Sequence, residues 1–318
     1  LRQIPPIIEI CEDINLICPD AVVFNFSNPM QRICHAVTTK FPDLKFIGLC
    51  HEIKSMNRQL PDLMETEMHN IEFRAAGLNH LSILLEARYK NTGKDGYPII
   101  KQNFDAYFSD LVNKHDAKPS KPGAERGVFR KLFKTYGYLP ITTDSHLGEY
   151  IQWAYSVADH DAILDFYDNY KEKCLAFYDN KTSYDHYFDL KNLNTHERVV
   201  PIIEGILSDS AYEEPAINIP NNGYIECLPK DIVVEVPGII NKSGISGISF
   251  KNYPAAFGSL LNSQSGVIQM TTDAVLNASK HSAYLALLAD PVVNDSYQAE
   301  KLLNNMLETQ VKFLYYLK

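Results

Sequence analysis

Three short polar strings interrupt apolar segments of the chain: Asn25-Phe26-Ser27-Asn28-Pro29-Met30, Gly48-Leu49-Cys50-His51-Glu52 and Gly77-Leu78-Asn79-His80. Cys50 and His80 stand thirty residues apart, on different predicted elements. A thiolate and an imidazole from two elements can form part of an open transition-metal site, and their softness suits zinc, iron, manganese or cobalt in different degrees. A bound metal would pull the Cys50 pKa well below its reference of ~8.5, since the thiolate is the ligand. Taken singly, each residue has a plainer reading. A cysteine after a strand is usually a small buried hydrophobe, and a lone histidine a hydrogen-bonded core residue. A fourth string, Leu139 to Tyr150, contains Asp144-Ser145 at a predicted helix start, with His146 and Glu149 in the first turn. The commoner fate of such an aspartate is to cap the helix.

Several chemistries are absent. No two glycines stand at i, i+2, so the chain has neither a G-x-G-x-x-G dinucleotide fingerprint nor a P-loop. It has no H-E-x-x-H and no G-x-S-x-G. With 30 Lys and Arg against 39 Asp and Glu the net charge is −9. That balance argues against nucleic acid or anionic lipid as partner, which needs clustered cations. No apolar run approaches the ~20 residues that span a bilayer. The six cysteines form no C-x-x-C pair, and with no signal-peptide layout at Leu1 a reduced, cytoplasmic setting is expected.

The elements that must position these strings follow from periodicity. The 318 residues correspond to roughly two domains at ~150 each. Ile7, Ile8, Cys11, Ile14 and Ile17 lie near one helix face, with Pro5 and Pro6 in the first turn. Residues 21–24 and 45–49 read as buried strands separated by a helix to about Thr39. This α-β-α-β order argues for parallel strands. It puts Asn25 and Asn28 after one strand, and Cys50 and His51 after the next, at the carboxyl edge where open α/β sheets bind ligands. Helices are predicted over 57–68, 101–113, 123–136 and 146–157, strands within 71–88 with a break at 77–80, and strands at 232–236 and 238–240 around Pro237. The segment 160–195 gives little signal, and three helices follow Pro254, the last starting near Asn294-Asp295. The fold class expected is α/β, the C-terminal part of a Rossmann-like parallel sheet (1–54) followed by a larger mixed α+β domain (55–318).

Together these strings resemble glycoside hydrolase family 4, the glycosidases that use NAD and a divalent metal. The resemblance rests on Asn28-Pro29-Met30, Gly48-Leu49-Cys50-His51, Gly77-Leu78-Asn79-His80, the block from Asp144 to Tyr150, Ile232 to Pro237, and Leu260 to Asp290, in order along nearly the whole chain. It implies Cys50 and His80 as ligands of manganese or another divalent metal, Asn28 and Asn79 as sugar contacts beside it, and Asn25 on the cofactor side. Asp144 falls where members carry a Tyr or Asp proposed to remove a sugar proton, and His51 where a candidate acid or substrate-selecting residue stands. A member should begin with a strand and a Gly-rich turn for the NAD pyrophosphate. That cradle is missing from these 318 residues, so they are expected to bind NAD weakly or not at all.

The implied reaction avoids the paired-carboxylate route. NAD oxidises the sugar at C3, a base removes the acidified C2 proton, the C1 group leaves, water adds and hydride returns. The Cys50-His51-Glu52 string looks more like the α-galactosidase and α-galacturonidase branch than the phospho-glucosidase branch. The expected substrate is therefore an unphosphorylated α-galactoside, α-galacturonide or α-glucoside, and the expected assembly a homodimer or homotetramer. Two rivals remain. One is an NAD-dependent hydroxy-acid dehydrogenase, which would have no use for Cys50 with His80. The other is an inactive metal- or sugar-binding fragment.

Overall fold

The computed structural model describes residues 1–114, 126–158, 160–179 and 198–318. Helix α1 (Ile4–Ile17) starts on Pro5 and Pro6, whose missing N–H groups cost nothing in a first turn, and buries Ile4, Ile8 and Cys11. Strand β1 (Val22–Asn25), helix α2 (Met30–Lys40) and strand β2 (Lys45–Gly48) follow. β1 and β2 pair in parallel, Val22 opposite Lys45 and Asn25 opposite Gly48. Both strands therefore end at the same edge, and the loops carrying Asn28 and Cys50 leave side by side. Ile8, Cys11, Ile33, Val37 and Phe46 close this part into its own buried cluster, which reaches Val233.

Helix α3 (Ser55–Met64) leads to a hairpin of β3 (Ile71–Leu78) and β4 (Leu81–Tyr89). Helices α4 (Tyr97–Lys114), α5 (Gly127–Tyr136), the single turn α6 (Asp144–Leu147), α7 (His160–Asp179) and α8 (Val199–Ser208) come next. Then come strands β5 (Tyr212–Pro220), β6 (Val233–Asn241) and β7 (Gly244–Gly247). Four helices end the chain: α9 (Ala255–Leu276), α10 (Lys280–Ala289), α11 (Ser296–Thr309) and α12 (Val311–Leu314). Asp295 caps α11, accepting from the Tyr297 and Gln298 amides.

β1 and β2 pair in parallel as expected, but the pair does not stand apart. The strands form one seven-stranded sheet in the order β1-β2-β5-β6-β3-β4, with β7 on β6. Among the named strands of the described residues only β1 and β2 pair in parallel; β2 meets β5 antiparallel where Gly48 faces Asn218. Residues 1–54 and 55–318 thus share one sheet. That junction sets the carboxyl end of β2 beside β5 and β6.

Several elements differ from their sequence reading; α8, β7 and the terminal turn α12 were not expected. β5 was not foreseen, because Glu213, Glu214 and two prolines spoil its apolar pattern. Its register with β6 shifts between Glu214 and Ile217, and this irregularity accommodates Pro215, which cannot donate to a ladder. Pro237 lies inside a single strand β6 opposite the same irregularity rather than between two strands. The helix expected over 146–157 is two separate pieces, one turn at Asp144–Leu147 and a 3-10 segment at Gln152–Ser156. Leu147, Ile151 and Ala154 are all buried, and their spacing imitates a helix face. Of the segments 123–136 and 160–195, residues 123–125 and 180–195 lie outside the described residues.

Candidate active site

Two glycines let the site assemble. At Gly48, a Cβ would stand 2.6 Å from Met30 Sδ and 2.8 Å from Cys34 Sγ, so α2 closes over the end of β2 only because no side chain intervenes. At Gly77, a Cβ would stand 2.4 Å from the Leu81 carbonyl oxygen across the hairpin. The tight Asn79-His80 turn between paired Leu78 and Leu81 follows, with His80 in the left-handed region at φ 62°. The turn carries His80 beyond the ladder to the edge where β2 ends.

There the structure brings Cys50 and His80 together, Sγ to Nε2 at 3.6 Å. Ligand distances of ~2.1 Å for nitrogen and ~2.3 Å for sulfur at a tetrahedral angle would set the two donors ~3.6 Å apart, so the pair fits two corners of one ion. Burial, then His146 and His51, lower the His80 pKa to about 3, which leaves the ring neutral and its lone pair free for a metal. Burial, then Glu235, push the Cys50 thiol up to about 12. A thiolate at this position therefore needs a cation beside it.

Glu235 of β6 is a member of the site that sequence reasoning missed. It is 3 % exposed and accepts hydrogen bonds from Asn79 Nδ2 at 2.8 Å, Asn218 Nδ2 at 3.2 Å and Ser82 Oγ at 3.2 Å. Burial raises its pKa. A lone acid inside the apolar run Ile232 to Val236 was the available signal. Asn218 was hidden with β5; fully buried, it also donates to the Gly48 carbonyl at 3.4 Å.

His146 enters as well. Its ring stacks on His80 at 3.9 Å between centroids, and its nitrogens lie 3.9 Å from Glu52 Oε1 and 3.8 Å from Glu149 Oε1. Glu52, His80 and His146 each offer a donor atom within 4.8 Å of the others. A cleft of about 420 Å³ opens on His80 and His146, lined among others by Asn28, Arg32, Asn79, Tyr150 and Gln264, while Cys50 lines a neighbouring cavity with Lys54 and Glu214.

The other expected residues are placed differently. Asn28 lines the cleft, and its Oδ1 accepts from the Met30 amide at 3.2 Å. Asn79 lines it with its amide held on Glu235. Asn25 is buried, its amide spent on the Ser27 carbonyl and Met30 Sδ, so it shapes the Asn28 loop from beneath. His51 is exposed and begins the short turn Glu52–Lys54. Asp144 is fully buried, and its two oxygens accept from the Val128 and Phe129 amides at 2.9 Å each. It satisfies the first turn of α5 from a distance in sequence, while the following His146, Glu149 and Tyr150 line the cleft.

Residues 75–293 match the family model described as "Family 4 glycosyl hydrolase C-terminal domain", and residues 1–66 the model "Family 4 glycosyl hydrolase". The chain belongs to family 4 of the glycosyl hydrolases. An alpha-glucosidase of Erwinia rhapontici is 42 % identical to this family 4 chain over 343 aligned residues, covering all of it and 73 % of the relative. An alpha-galactosidase of Bacillus subtilis is 29 % identical, covering 92 % of the family 4 chain and 65 % of the relative. Among solved structures, a 6-phospho-alpha-glucosidase from gut microorganisms, in complex with NAD and Mn2+, superposes with a TM-score of 0.74 at 20 % identity. That alignment covers 97 % of this chain and 71 % of the other. The family 4 chain is thus a glycosidase of mixed α/β fold. No helix among its described residues is long and apolar enough to cross a membrane.

Proposed function

We propose that this family 4 chain hydrolyses an unphosphorylated α-glycoside, an α-glucoside foremost, with NAD and a divalent metal ion such as manganese, by oxidation at C3 and elimination across C1–C2. The observation that carries this reading is the 3.6 Å approach of Cys50 Sγ to His80 Nε2, with Asn28 and Asn79 lining the cleft beside His80. The α-glucoside preference is supported by the 42 % identical alpha-glucosidase. When bound, NAD supplies reversible oxidation at C3, and the metal supplies Lewis-acid polarisation of the C2–C3 edge.

The chain's own residues do the rest. Cys50 and His80 would hold the ion and leave its remaining positions for substrate. Glu235 fixes Asn79 and so the turn that carries His80, as outer-shell carboxylates orient metal ligands. Asn28 presents its side chain at the cleft mouth to orient the sugar. Asp144 holds the 144–150 block in place by capping α5. With both its oxygens engaged there, removal of the C2 proton falls to a cleft-lining group of the block, and His146, in ring contact with His80, is our assignment. Leu164, Tyr170, Leu175 and Tyr178 on α7 are exposed apolar surface that suits a homo-oligomer.

The deciding experiment is turnover of an α-glucoside in D₂O by the whole protein with NAD and manganese. Product should carry deuterium at C2. Hydrolysis without NAD and without deuterium at C2 would refute the redox-elimination reading.

A further inference from the structure

Gln264 of α9 lines the cleft with His80 and Asn28, yet only 2 % of it is exposed. Its Nε2 donates to the Tyr150 carbonyl at 3.2 Å, and the Asp290 carboxyl lies near the same amide. Both are acceptors, so the NH₂ end must face them. Turning the amide over would set oxygen against a carbonyl and a carboxylate. The orientation is therefore forced, and Oε1 is left with no hydrogen-bond partner among the described residues. His35, Gln59, Thr142 and Thr272 also carry unpartnered buried atoms, but none of them lines this cleft. A buried amide oxygen without a donor is destabilising, and because Gln264 lines the cleft, a ligand that presses into this wall can supply the donor.

We propose that Gln264 is a specificity-determining residue whose Oε1 accepts a hydrogen bond from the sugar hydroxyl at C4 or C6. The inference rests on the glycosidase reading above, in which C2 and C3 face the metal pair. An amide oxygen fixed as acceptor welcomes a hydroxyl and rejects a phosphate ester or carboxylate, which present only oxygen lone pairs at neutral pH. Arg32, a cation of this wall, stands near Tyr150 and the Asp290 carboxyl, so its charge is offset. The wall therefore selects a neutral sugar.

The test compares wild type and Gln264→Leu in the whole protein loaded with NAD and manganese. The substrates are p-nitrophenyl α-D-glucopyranoside and its 4-deoxy and 6-deoxy analogues, with NAD affinity measured separately. Loss of one hydrogen bond to a buried acceptor should lower kcat/KM for the parent glucoside ~10-fold or more, mostly through KM. One deoxy analogue should show the same loss in wild type and no further loss in Gln264→Leu. NAD affinity should stay within about twofold. Additive losses for both deoxy analogues would overturn the proposal. So would a weakened NAD affinity with KM unchanged, which would make the cofactor carboxamide the donor. Parent cleavage that needs NAD but is indifferent to Gln264→Leu would overturn this inference alone, whereas NAD-independent cleavage would overturn the glycosidase mechanism. No cleavage or binding of the glucoside by wild type would overturn both.

Discussion

Asn79 Nδ2 donates to Glu235 Oε2 at 2.8 Å, so the turn that presents His80 is fastened to the middle of strand β6. Cys50 lies beside the residue that this turn presents, its Sγ 3.6 Å from His80 Nε2. One buried carboxylate thus steadies the turn that brings His80 to Cys50.

Glu235→Ala should loosen that separation. Removing an outer-shell partner typically costs ~10–100-fold in metal affinity. Competition of manganese against a chelating dye would measure the loss. Glu235→Gln keeps the size and one acceptor and should fall between wild type and Ala. An Ala variant that binds manganese as well as wild type would separate Glu235 from the metal site.

The same residue predicts a pH effect on stability. Burial raises the folded pKa of Glu235 above its ordinary 4.5. From there upward the folded carboxyl holds its proton after the unfolded one has lost it. The folded state then binds more protons, so this group's contribution to stability falls as pH rises through the raised pKa. Thermal unfolding of Glu235→Gln followed upward from about pH 4.5 should show a flatter decline than wild type. Parallel curves for the two proteins would contradict the assignment.

Asp144 offers a separation of structure from chemistry. Asp144→Ala leaves the Val128 and Phe129 amides without their acceptor, and loss of such a cap costs about 0.5–2 kcal/mol. Chemical denaturation should report that loss. Product made in D₂O by the surviving enzyme should still carry deuterium at C2. His146→Ala should instead fold normally and slow turnover by ~10²–10⁴-fold, the usual worth of a general base. The opposite pattern, with Asp144→Ala stable and inactive, would return the proton transfer to Asp144.

The metal pair has a spectroscopic test. Cobalt bound through Cys50 should give a thiolate-to-metal charge-transfer band in the near ultraviolet. Cys50→Ser should abolish that band, and His80→Ala should weaken cobalt binding without removing it. A band that survives in Cys50→Ser would place the metal elsewhere.

Substrate choice can be measured directly on the whole protein. kcat/KM for an α-glucoside should exceed that for its 6-phosphate, in keeping with an acidic chain of net charge −9. A strong preference for the 6-phospho form would overturn the neutral-sugar reading.

Much of this was legible along the chain, because the signals are local. Asn28, Cys50 and His80 each follow a short apolar run, and the end of a strand is encoded by its own residues. The helix starts at Pro5 and Asp295 and the break at Asn79-His80 are likewise local chemistry. The order of the polar strings was enough to suggest the family. What the sequence could not decide was which distant elements meet. Whether Asp144 aims at a sugar or at the α5 amides depends on where α5 lies, and the residues about it read the same in both cases. β5 stayed hidden because a central strand can carry Glu213, Glu214 and prolines when its neighbours satisfy them. Glu235, Asn218 and Gln264 became site residues only through contacts across 17 to 170 positions of chain. Burial, hydrogen-bond satisfaction and pKa are properties of the assembled neighbourhood, and only the tertiary structure specifies that neighbourhood.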